Sequence, residues 1–185
     1  MPTRIGPYRA ALEEIGAALD RLDEGGFAAF VEAIASARRI ALYGVGREGL
    51  AIKGFAMRLF HLGLDVSMVG DMTTPSIGPG DLLVVSAGPG GFSTVDGLMG
   101  VARAAGARIA LVTANPGGSA AQLADTALVV PAQTMADDVG GASVLPMGSL
   151  FEGAEFILFE MAVMALAERL GVGADAMRAR HTNLE

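Results

Sequence analysis

The chain reads as an α/β fold, a parallel sheet covered by helices on both faces. Two observations predict this. Short apolar runs, such as residues 82–86 and 108–113, alternate with segments of helical period. Glycine-rich turns, Gly44 to Gly49 and Gly88 to Gly91, directly follow two of those runs. In open parallel sheets, ligands bind beyond the C-terminal ends of the strands, where strand order reverses, so both turns should line that crevice.

Taken in order, residues 5–22 place Ala10, Leu12, Ile15, Leu19 and Leu22 near helical spacing and predict an amphipathic helix that Gly25-Gly26 ends. A second helix follows over 27–37. Residues 39–44 form a buried strand meeting a glycine turn, 47–62 a helix and 66–69 a strand. The strand at 82–86 stops at the second glycine turn, and Ser93 can cap the helix at 93–105. A strand at 108–113, a short helix at 119–124 and a strand at 127–130 come next. A long connection, 131–148, leads to helices at 149–170 and 174–180. Long connections in compact domains are often functional. One domain, 1–185, accounts for the whole chain.

Apolar residues make up 52% of the sequence, and mean hydropathy is +0.48. No run reaches the ~18–20 uncharged apolar residues of a membrane span. The most apolar helix, 149–170, carries Glu152, Glu155, Glu160, Glu168 and Arg169. Its hydrophobicity predicts burial on several sides, including a subunit interface. With no cysteine, disulfides and thiolate chemistry are excluded. The N-terminus lacks a signal-peptide core, and a cytoplasmic location is expected. A net charge of −7 disfavours a nucleic-acid surface. Lys53 is the sole lysine beside twelve arginines. Two histidines and scattered acids lack metal-site spacing, so no metal or other cofactor is expected.

The stretch Leu145-Pro146-Met147-Gly148-Ser149-Leu150-Phe151-Glu152 delivers a carboxylate to the first turn of the long apolar helix. The same spacing fits a capping box, in which Ser149 and Glu152 only satisfy backbone donors. Facing a cleft, Glu152 would instead be placed to move a proton on and off carbon. The turn Gly44-Val45-Gly46-Arg47-Glu48-Gly49 echoes a dinucleotide fingerprint, but its third glycine is displaced and Asp65 begins the next strand instead of ending it. Nucleotide binding is therefore not expected. Arg47 is open to a reading as a solvated first-turn residue, Thr73-Thr74-Pro75-Ser76 to one as a simple proline turn, and His61 to one as a helix-terminal packing residue.

Together with Arg180-His181-Thr182-Asn183-Leu184-Glu185, Phe55 to Leu59, His61 to Gly63 and Thr73 to Ser76, these segments resemble the 6-phospho-3-hexuloisomerases of the sugar isomerase (SIS) superfamily. The resemblance runs from about residue 8 to the end. It implies a five-stranded parallel sheet of order 2-1-3-4-5 flanked by helices, and homo-oligomers that are dimers of dimers. The implied reaction converts 3-hexulose 6-phosphate to fructose 6-phosphate through a cis-enediol, without metal. Glu152 would be the base, and His181, from a neighbouring subunit, would assist as acid or in ring opening. Gly46, Arg47, Glu48 and Thr74 would border the sugar. Relatives usually carry Ser-Gly-Ser-Gly-x-Thr where this chain has Ala87, Pro89 and Phe92 in place of the hydroxyl residues. Glu48 likewise replaces a common serine. Each hydrogen bond lost to a charged group is worth roughly 1.5–3 kcal/mol. Ser86, Gly88, Ser93 and Thr94 remain as candidate phosphate contacts. The leading expectation is thus a sugar-phosphate isomerase. The alternatives are a non-catalytic SIS sugar-binding protein or an isomerase of altered substrate.

Overall fold

In a computed structural model, residues 5–138 and 143–184 are described. Five parallel strands, β1 (Ile40–Gly44), β2 (Val66–Met68), β3 (Leu82–Ser86), β4 (Arg108–Thr113) and β5 (Thr126–Val129), form one sheet of order β2-β1-β3-β4-β5. The register aligns Gly44 with Ser86 and Ser86 with Val112, so the strand ends lie level at one edge. From β1 the chain moves outward to β2 and then crosses to β3 on the other side. The reversal lies between β1 and β3, and it opens the crevice there.

Side-chain alternation splits the core into two layers. Ile40, Leu42, Val84, Ala110, Val112 and Leu128 face α1 (Ile5–Leu19), α2 (Glu24–Ala35), α3 (Gly46–Leu62) and α6 (Ser149–Leu170). Ala41, Leu83, Val85, Ile109 and Leu111 face α4 (Ser93–Ala104) and α5 (Ser119–Leu123). Within the first layer, Phe55 stacks on Phe159 with centroids 4.4 Å apart and planes 4° from parallel, which pins α3 to α6. A final short helix, α7 (Ala174–Ala179), packs against the end of α3.

Some expectations need correction. The first helix stops at Leu19, and Gly25-Gly26 belong to the first turn of α2. The cause is Asp23, whose carboxylate accepts the Gly26 N–H at 2.5 Å and caps the helix three residues earlier than expected. Leu12 is exposed rather than core-facing. Ser93 does not cap α4; the cap position is Phe92, with no side-chain bond. Other element ends shift by a residue or two. Among the described residues no helix is long and apolar enough to cross a membrane.

Candidate active site

The crevice between β1 and β3 is a cavity of about 420 Å³ lined by Gly46, Arg47, Glu48, Pro89, Phe92, Phe151 and Glu152, among others. Gly46 starts α3 in a left-handed conformation, φ 61°. Gly49 lets the helix press on the strand end: a Cβ there would lie 2.5 Å from the Gly44 carbonyl oxygen. The glycines of this turn therefore serve close packing of strand and helix. This tight turn sets Arg47 and Glu48 side by side at the mouth and base of the cavity.

Arg47 reaches across to α6. Its Nε lies 2.9 Å from a Glu152 carboxylate oxygen, Nη1 donates to Ser149 Oγ at 2.9 Å, and Nη2 donates to the Met147 carbonyl at 2.5 Å. Met147 and Gly148 both have positive φ, 56° and 80°, and this double left-handed turn aims the start of α6 at the cavity. Gly148, not Ser149, occupies the cap position, and no side-chain cap bond forms. The capping-box alternative is thereby overturned, because Ser149 and Glu152 both turn to Arg47 instead.

Below the cavity floor Glu48 is buried. Its Oε2 accepts from Ser86 Oγ at 2.7 Å and from the Gly88 N–H at 2.9 Å. Burial pushes its carboxyl above the usual range, and those two donors pull it partly back. Glu152 is also raised, chiefly by desolvation; Arg47 opposes the shift and Glu48 adds to it. One turn further along α6 lies Glu155, fully buried, neither of whose oxygens has a hydrogen-bond partner among the described residues. Burial raises it well above the ordinary value. The nearby Ser86 hydroxyl opposes the rise, and the charges of Glu48 and Glu152 add to it.

Of the expected site residues, Gly46, Arg47, Glu48 and Glu152 converge on this cavity, and Ser86 and Gly88 join it through Glu48. Ser93 and Thr94 are exposed on α4 and do not line it; Phe92 does. Thr74 lies elsewhere, donating to the Met68 carbonyl at 2.5 Å in a pocket shared with Lys53. His181 is exposed and stacks on His61 with centroids 5.2 Å apart. His61 is at the opposite end of α3 from Arg47, some fourteen residues or about 21 Å of helix away, so within one chain His181 packs at the end remote from Glu152. Glu155 was missed by sequence reasoning. Its signal was spacing, three residues from Glu152 and so on the same helix face. Among the described residues no cluster of His, Cys, Asp and Glu is arranged to hold a metal ion.

Comparison with known proteins agrees with the fold. The SIS domain model matches residues 33–148. A 3-hexulose-6-phosphate isomerase of Mycobacterium gastri is 38% identical over 94% of this chain and 87% of its own. One from Methylomonas aminofaciens is 38% identical over 81% and 82%. A crystal structure from Methanococcus jannaschii, whose inferred function is 3-hexulose-6-phosphate isomerase, superposes with a TM-score of 0.84 at 27% identity, covering 96% of this chain and 98% of that one. With that sheet order, and with the family model spanning most of the chain, this protein belongs to the SIS domain family.

Proposed function

We propose that this protein is a ketose isomerase that interconverts 3-hexulose 6-phosphate and fructose 6-phosphate. The observation that carries the reading is Glu152: a carboxylate in the first turn of α6, facing the cavity, partly desolvated and held by Arg47. Its similarity to 3-hexulose-6-phosphate isomerases over most of both chains supports the substrate.

In this reading Glu152 takes the proton from C2 of the 3-ketose. The C2–H pair collapses into a C2–C3 double bond, and the C3 carbonyl oxygen gains a proton to complete the cis-enediol. Glu152 then returns its proton to C3 while O2 gives up its own and becomes the new carbonyl. A raised carboxyl is matched to both halves, because it is strong enough as a base and acidic enough to give the proton back. Arg47, already within hydrogen-bonding reach of Glu152, steadies negative charge on the enediol oxygens.

His181 is too far along its own chain to take part, so its role in proton traffic at the oxygens or in ring opening requires a second subunit. The dimer of dimers expected for the family would supply one. Phe156, Ile157, Met161 and Met164 expose apolar surface on α6, as a helix covered by another copy would.

The test is proton exchange at C3 of fructose 6-phosphate in D2O, followed by NMR. Exchange is expected with the native protein and is lost at least a thousandfold in Glu152→Gln, with folding intact. Exchange that survives in that variant removes Glu152 from the role.

A further inference from the structure

At the C-terminal end of β3, Ser86 Oγ–H and the Gly88 N–H converge on one point, an arrangement of hydroxyl and backbone donors that commonly seats an anion. Here both donors are taken by Oε2 of Glu48. The second oxygen of Glu48 covers the turn itself: a Cβ on Gly88 would lie 3.1 Å from Oε1. Pro89, the next residue, has no N–H to offer.

The start of α4, the other anion-favouring feature of the same segment, is filled in the same way. Asp96 stands in its first turn. One of its oxygens accepts from Ser119 Oγ at 2.7 Å, while the other is buried without a partner among the described residues and would lie 3.3 Å from a Cβ on Gly91. Two acids, Glu48 and Glu152, line the cavity, and among the described residues its lining cation, Arg47, is already paired with Glu152.

We infer that Glu48 is a specificity-determining residue. Its carboxylate stands where an anionic substituent would otherwise sit on the β3–α4 turn, so this turn contributes little binding to a phosphate. This rests on the reading of the cavity as a ketose-isomerase site. The phosphate of a ketose 6-phosphate then gains little at this turn, and the preference over the free ketose should be small.

Two measurements on the full chain test this. Inorganic phosphate is titrated into the native protein, Glu48→Gln and Glu48→Ser while the Gly88 amide is followed by NMR. Turnover of fructose 6-phosphate and of fructose is compared in each. The Gln variant keeps the side-chain shape and guards against misfolding of the Ser variant. In the native protein the Gly88 amide should not respond at phosphate concentrations that saturate Glu48→Ser. That variant should bind phosphate at least about tenfold tighter, the worth of one charge-assisted hydrogen bond. Its preference in kcat/KM for the phosphorylated ketose should rise by a similar factor. Saturable phosphate binding at Gly88 in the native protein, or no tightening in either variant, overturns the assignment. Should neither ketose turn over while phosphate behaves as expected, the role of Glu48 stands and the isomerase reading falls.

Discussion

Glu155 lies one turn along α6 from Glu152, an acid with no exposed surface and no hydrogen bond to either oxygen among the described residues. Burying an ionised carboxylate in this way is costly, so the folded state favours its protonated form. A folded-state carboxyl held above its unfolded value contributes no penalty below the unfolded pKa. The penalty grows as pH rises from there toward the folded value. Glu155→Gln mimics the neutral form, so it should match the native protein near pH 4. Near pH 7 to 8 it should exceed it by about 1–3 kcal/mol. Thermal unfolding at the two pH values checks this; a difference that does not grow with pH contradicts it. In the sequence Glu155 is one of four glutamates in an apolar helix and reads as solvent-facing; only the packing of α6 against α1, α2 and α3 shows that it is buried.

At the level of elements, the strand and helix order was legible because buried strands and amphipathic helices carry different periods, and the sheet order followed from the family resemblance. The path into α6 was not legible. Ser149 and Glu152 have the spacing of a capping box, and hydrophobic pattern says nothing about backbone handedness. Two successive left-handed residues, Met147 and Gly148, rotate the helix start so that both side chains meet Arg47. Phe92, likewise, occupies the lining position that the sequence offered to Ser93 and Thr94, because the cap of α4 falls one residue earlier. The entry turn has no room for a side chain at Gly148. A Cβ there would lie 2.9 Å from the Met135 nitrogen, at a φ that disfavours any Cβ. Gly148→Ala should cost about 1–3 kcal/mol of stability. It should also lower kcat more than it raises KM, since it displaces the Glu152 carboxylate. Unfolding and steady-state kinetics on the one variant measure both, and unchanged kcat would separate the turn from the chemistry.

On the scale of the whole molecule, the two ends of α3 divide the labour. One end carries Arg47 and Glu48 at the cavity, and the other receives the C-terminal tail, where Arg180 Nη1 donates to the His61 carbonyl at 3.1 Å and His181 stacks on the His61 ring. Arg180 also lies over Gly63, where a Cβ would come within 2.8 Å of its guanidinium. The tail is therefore docked on its own chain at the end remote from Glu152. The consequence of that docking concerns mixtures. If each reaction centre borrows its histidine from another copy, Glu152→Gln and His181→Ala proteins, each impaired alone, should rescue one another when unfolded together and reassembled. Random pairing would then leave roughly one centre in four with both groups intact. A mixture no more active than its parts would mean that every chain works with only what it carries.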